Sequence, residues 1–193
     1  MKIGFGLMAA LLASGSSIEA AGRLVTPVCM SSSADFRVAR AKQIAGWLLG
    51  FATVHVEWLP VSRCPPKSIV VTLQPRTPDT LRPEWFAYSQ PFEGTQIIVF
   101  LDRIQAAVPA RRFAQLLGHV LAHEIAHMIE GTDCHSSEGV MKVRWSGADY
   151  LKMDYLQLRF TESDIQLIRQ GLPALEKRSG VVLDDTRYAD GRH

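Results

Sequence analysis

The chain has 193 residues, is 47% hydrophobic and 21% charged, and carries a formal net charge of +2. This composition excludes a disordered or fibrous chain and is long enough for one globular domain with a real core. The small charge is scattered along the sequence, so it points to neither nucleic acid nor an anionic membrane as a partner.

Lys2 precedes an apolar run, residues 3–13, that is too short to span a bilayer, and small residues cluster over 14–22. That is the layout of an export signal, read here as residues 1–21, with a retained amphipathic anchor as the alternative. Residues 22–193 then make a single domain, secreted or periplasmic, with no stable membrane insertion after signal removal. In an oxidising compartment Cys29 and Cys64 could pair, a staple of about 4 kcal/mol in the loop-entropy model. Cys134, beside His135, is then the odd thiol. The sequence alone leaves this pairing open, and it carries no statement of oligomeric state.

Residues 24–30 read as a first strand. Ser33 is placed to cap a helix over 34–49, in which Val38, Ala41, Ala45 and Leu48 recur at helical spacing. Residues 53–59 alternate as a half-buried strand, and 68–73 are a second apolar run. Pro75, Pro78, Pro83 and Pro91 then rule out continuous strand or helix and leave a long loop. Residues 95–101 read as a strand, and Pro109 suits the first turn of a helix over 110–130 that Gly131 ends. Irregular chain to Met141 precedes helical patterns at 148–158 and 162–177, the second capped by Thr161. A polar tail from Arg178 is expected to fray.

The helix ending at Gly131 carries the chemistry. His123 and His127 stand four residues apart, about 40° from each other on one stripe, so both imidazoles can reach one ion. Glu124 falls within the apolar arc of Phe113, Leu116, Leu117, Val120, Leu121 and Met128. A carboxylate there is costly without a partner, and a metal-bound water would be one. H-E-x-x-H on a helix is the zinc-protease arrangement for that reason. Buried histidines satisfied by hydrogen bonds are the bland alternative. A catalytic zinc needs a third protein ligand and an open position. Strict H-E-x-x-H-x-x-G-x-x-H register puts Asp133 there, although Glu130 stands where that pattern has glycine. Adding one residue on each side of Gly131 puts His135 there instead.

The segment HVLAHEIAHMIEGTDCHSSEGVMKVRW resembles a group of bacterial zincin-type, metzincin-like metallopeptidases. Their pattern is A-H-E-[IL]-G-H-x-x-x-G-x-x-x-H-S-x-x-G-[IV]-M followed by tryptophan. Ala122, His123, Glu124, His127, Gly131, His135, Ser136, Gly139, Val140, Met141 and Trp145 match it, whereas Ala126 replaces a glycine. The motif covers about a seventh of the chain, with looser similarity through most of residues 22–193. The resemblance implies an α+β, zincin-like single domain: a small mixed sheet packed on the H-E-x-x-H helix, with C-terminal helices. It implies Zn²⁺ held by His123, His127 and His135, with Glu124 as general base and a peptide or protein as substrate. It implies too that Met141 underlies the metal, with an ordinary core methionine as the alternative, and that the strand at 95–101 is the sheet edge above the cleft, where an extended peptide pairs.

The residues leave other roles weighed on both sides. His119 reads as a hydrogen-bonded supporting histidine rather than a ligand, and Cys134 as packed rather than ligating. Tyr150 and Tyr155 could donate to an oxyanion, although a structural tyrosine is the plainer reading. The rival function is an exported, non-catalytic zinc-binding protein with a structural or metal-sequestering site.

Overall fold

The computed structural model describes residues 25–31, 33–81, 85–91 and 95–179. The expected signal at 1–21 and the tail beyond Ser179 lie outside the described residues.

Chain order gives β1 (Val25–Met30), α1 (Phe36–Gly50), β2 (His55–Pro60), β3 (Ile69–Gln74), β4 (Ala87–Ser89) and β5 (Gln96–Phe100). They are followed by α2 (Leu101–Ala107), α3 (Phe113–Glu130), α4 (Gly147–Asp154) and α5 (Glu162–Ser179). One sheet has the order β2-β1-β3-β5-β4. Its strands are parallel except for β4, which runs antiparallel to β5 through Ala87↔Val99 and Ser89↔Ile97. This is the expected zincin-like mixed sheet packed on a central helix.

The parallel pairing requires crossovers, and α1 supplies the first. Its buried face, Val38, Ala41, Ile44, Ala45, Leu48 and Leu49, contains all four positions expected from spacing. The cap is Asp35 rather than Ser33: its carboxylate accepts from Arg37 N at 2.8 Å, while Ser33 Oγ accepts from Asp35 N at 3.2 Å. A charged acceptor nearer the helix dipole serves better. α1 crosses α3 at Gly118, where an added Cβ would lie 2.7 Å from Ile44 Cβ, so glycine permits the close approach.

Every residue of α3 is buried except Gln115, Glu124 and Glu130, which are half-buried. A helix covered on nearly all sides is the core of the domain. It begins at Phe113, after a 3-10 turn over Ala110–Arg112, and not at residue 110. The preceding Pro109 is extended, at φ −57° and ψ 152°. Gly131 does end α3, at φ +68°.

Three further expectations change. The apolar run expected as a strand over 95–101 is strand only over Gln96–Phe100, and Leu101 opens α2, whose first-turn Asp102 accepts from Thr77 N (3.0 Å) and Thr77 Oγ1 (2.8 Å). That short apolar run fits strand and helix equally on pattern alone. The strand at the sheet edge is β4, not β5: Gln96–Phe100 pairs on both sides, with β3 and with β4. Finally, α5 does not fray at Arg178. The Arg178 guanidinium donates to the carbonyls of Met128 (3.0 Å) and Pro91 (3.3 Å), tying the helix end to α3 and to the segment after β4. The expected Thr161 cap is present, with Thr161 Oγ1 accepting from Asp164 N at 3.2 Å.

Cys29 at the end of β1 and Cys64 after β2 form a disulfide across a sequence separation of 35. Among the described residues, no helix is long and apolar enough to cross a membrane.

Candidate metal centre

His123 and His127 project from the C-terminal half of α3, with relative exposures of 7% and 4%. Their Nε2 atoms are 3.0 Å apart. His135 arrives from the loop after Gly131 and places its own Nε2 3.3 Å from that of His127. Among the described residues these three are the group whose ligand atoms gather as a metal ion requires, all within 4.8 Å of one another. Asp133 lines the same cleft but is not a member of that group.

Backbone carbonyls fix the ring orientations. His123 Nδ1 donates to Val140 O at 2.8 Å, and His127 Nδ1 donates to Thr132 O at 2.9 Å. A carbonyl only accepts, so in each neutral ring the proton is on Nδ1 and Nε2 presents a lone pair. Burial above all pushes both rings down to about 4, with the Val140 hydrogen bond opposing at His123 and the neighbouring His123 reinforcing at His127. Near neutrality, two bare lone pairs therefore face each other at 3.0 Å with no proton between them.

That arrangement is repulsive by itself and suits a cation. Tetrahedral zinc bound at about 2.0–2.1 Å requires ligand nitrogens about 3.3 Å apart. The observed 3.0 and 3.3 Å match this within a few tenths of an ångström. The donor set, three imidazole nitrogens with two of the rings locked by carbonyls at Nδ1, is also the chemistry zinc takes. The residues present thus fit the ion. His135 is exposed, so the centre opens on that side.

The loop is pinned at several points. Ser136 N donates to Met141 O at 2.9 Å, and Ser136 Oγ bonds to the Asp164 carboxylate at the start of α5. Gly139 takes φ +76°, and an added Cβ would lie 2.5 Å from Arg159 O. The next residue, Val140, donates its N–H to that same carbonyl at 3.0 Å and offers its own carbonyl to His123. Met141 is buried in the core, 1% exposed.

A cleft of about 740 Å³ runs over the three histidines. Glu124, Trp85, Tyr88, Trp145 and Tyr150 line it, whereas Tyr155 stands 75% exposed and does not. Glu124 Oε2 accepts from Ser89 Oγ at 2.5 Å. Burial pushes the Glu124 carboxyl up, against the Ser89 hydrogen bond and the attraction of His127 and His135. His119 stays outside the cluster, with Nδ1 2.7 Å from Gln115 O and Nε2 3.2 Å from Leu158 O. Cys134 also stays outside; its exposed sulfur accepts from Thr132 Oγ1 at 3.1 Å.

Ser89 escaped sequence reasoning. It stands 35 positions before Glu124, in a three-residue strand among prolines, and no local pattern marks it.

A helix carrying a histidine pair over a mixed sheet, with a looped third histidine, defines a zincin-like fold. No family model matches the chain, and no curated protein matches it in sequence. Among solved structures it is similar to archaemetzincin from Methanopyrus kandleri, at a TM-score of 0.51 and 15% identity, over 81% of this chain and 99% of that one. Myroilysin matches at a TM-score of 0.36 and 13% identity, over 75% of this chain and 66% of the other, too loosely to add to the argument.

Proposed function

We propose that the protein is an exported zinc-dependent metallopeptidase, with His123, His127 and His135 holding the ion and Glu124 acting as general base. The observation that carries this reading is the convergence of three Nε2 atoms, two of them from rings locked by carbonyls at Nδ1. Neutral imidazole ligands leave the full charge of the ion in place. Bound there, zinc would supply Lewis acidity toward a scissile carbonyl and bring the pKa of a water down towards about 7.

The other steps belong to the chain. Glu124 faces the cleft beside the ligands and takes the proton of the attacking water on the carboxylate oxygen that Ser89 does not engage. It then passes that proton to the departing amine. An extended peptide adds its backbone to β4, the outer strand of the sheet, in place of the β5 position that the resemblance implies. Aromatic rings of Trp85, Tyr88 and Trp145 offer its side chains apolar contact. Export is supported by the Cys29–Cys64 disulfide, a bond that persists in oxidising compartments.

Substituting Glu124→Gln tests the reading against a non-catalytic zinc protein. Hydrolysis of fluorescein-labelled casein should fall by about 10²- to 10⁴-fold while zinc content by mass spectrometry stays unchanged. Undiminished hydrolysis by the variant would remove Glu124 as the base. A zinc-replete wild type that cleaves neither casein nor a mixed peptide library would favour the structural or sequestering alternative.

A further inference from the structure

β4 is only three residues long, yet it touches the reaction centre directly. Strand alternation sends the Ala87 and Ser89 side chains to one face and Tyr88 to the other, and the exposures follow: Tyr88 is exposed, its two neighbours half-buried. Antiparallel pairing of Ser89 with Ile97 fixes the backbone of this position on the sheet. The inward Ser89 Oγ then reaches Glu124 Oε2 at 2.5 Å. A serine hydroxyl can donate, and an ionised carboxylate only accepts, so the direction of this bond is set.

Glu124 needs such a restraint. It is one of only three residues of α3 that are not fully buried, and it faces open cleft. A glutamate side chain loses appreciable rotamer freedom when it is fixed in one pose. No other side-chain hydrogen bond to its carboxylate accompanies that from Ser89 among those the described residues make. Ser89 holds one carboxylate oxygen, Oε2, of a residue that lines the cleft.

We propose that Ser89 is the positioning residue of the general base: it ties Glu124 to the outer strand, so that the strand receiving the peptide also sets where the base stands. This inference rests on the metallopeptidase reading and adds to it a residue that the H-E-x-x-H pattern does not contain. Ser89 is not a member of the histidine cluster, and in this role it acts through Glu124.

Acetohydroxamic acid is a suitable probe, because a hydroxamate chelates zinc while donating a hydrogen bond to the neighbouring carboxylate, and its binding needs no turnover. Its affinity for the zinc-loaded full protein is measured by calorimetry for wild type, Glu124→Gln, Ser89→Ala and Ser89→Thr, with zinc content determined for each. Ser89→Ala is expected to bind about tenfold more weakly, the scale of losing one hydrogen bond to a charged group in part. Ser89→Thr, which keeps the hydroxyl and suits a strand, restores binding to within about threefold. Zinc content stays at the wild-type level in every variant. If Glu124→Gln weakens binding and Ser89→Ala does not, the positioning role is wrong while the base assignment stands. If Glu124→Gln binds as tightly as wild type, both fall together. Loss of zinc in Ser89→Ala, or a threonine variant no better than alanine, would overturn the proposal in favour of a packing role.

Discussion

Gly139→Ala probes how the backbone holds the first histidine. The residue has φ +76°, and the new Cβ would stand 2.5 Å from Arg159 O and 3.3 Å from Thr161 Cγ2. A left-handed conformation costs a residue with a Cβ about 1–2 kcal/mol. Overpacking against a carbonyl that is itself hydrogen-bonded adds about 1–3 kcal/mol. Together these give about 3 kcal/mol, which lowers Tm by about 6–12 °C in a domain of this size. The strain does not stay local. Relieving it moves Val140, whose N–H donates to Arg159 O and whose carbonyl accepts a hydrogen bond from His123 Nδ1. Disturbing a partner of this kind typically weakens metal binding 10- to 100-fold, and about tenfold is expected here. Thermal melts of metal-free protein and a zinc competition titration read the two effects separately. Gly147→Ala is the control, since a Cβ there meets nothing within 4 Å. A Gly139→Ala protein that melts within about 2 °C of wild type and binds zinc within about twofold would refute the account of this turn.

Zinc content should separate the two registers for the third ligand: His135→Ala loses the ion and Asp133→Ala keeps it, and the reverse pattern would restore the stricter spacing. Chelator-stripped protein should lose stability on acidification. His123 and His127 fall from an ordinary value of 6.5 to about 4 in the fold, so between those values the unfolded chain binds more protons. Stability is complete above about 6.5 and declines towards pH 4 by up to about 1.4 kcal/mol per unit per histidine, which urea titrations at stepped pH will read. A flat profile across that window would contradict the buried, neutral state of the pair. Removing the disulfide with Cys29→Ser/Cys64→Ser should cost about 4 kcal/mol, measured by urea unfolding against the oxidised wild type. A loss below about 1 kcal/mol would show that the reduced chain stays compact around that loop.

How much was legible in the sequence depended on whether the deciding interaction was local. The buried face of α1, the end of α3 at Gly131 and the Thr161 cap all follow from side chains a few residues apart, and all are present. The outer strand, placed at 95–101 by the resemblance, is β4 instead, and apolar runs could not have corrected this because they do not encode pairing partners. Residues 95–101 have the stronger strand pattern, and for that reason they form a paired strand inside the sheet. The weaker Ala87–Ser89, hemmed in by prolines, occupies the edge, where short strands are tolerated. Ser89 was invisible for the same reason, since its partner Glu124 is met only after the sheet has folded onto α3.

His135 shows why counting residues is a weak guide to which side chain a loop brings to the histidine pair. Strict register selects Asp133 by distance along the chain, but the loop is not a uniform spacer. Gly131 turns it out of α3, and the Thr132 carbonyl immediately returns to His127 Nδ1, so the first residues are spent on holding a ring already placed. At the far side, Ser136 is fixed to Met141 through its N–H and to Asp164 through its hydroxyl. His135 lies next to that second anchor, and its Nε2 comes within 3.3 Å of that of His127. The extra residues on each side of Gly131 are thus absorbed by two anchoring points rather than by lengthening the reach. A variant that cuts the second anchor, Ser136→Ala, should therefore weaken zinc binding although residue 136 is not a ligand. Losing the tie to Asp164 should weaken binding about tenfold in a competition titration, with His123 and His127 unaltered. Wild-type affinity in that variant would mean that His135 is positioned by the remaining chain, and that Ser136 only fastens α5.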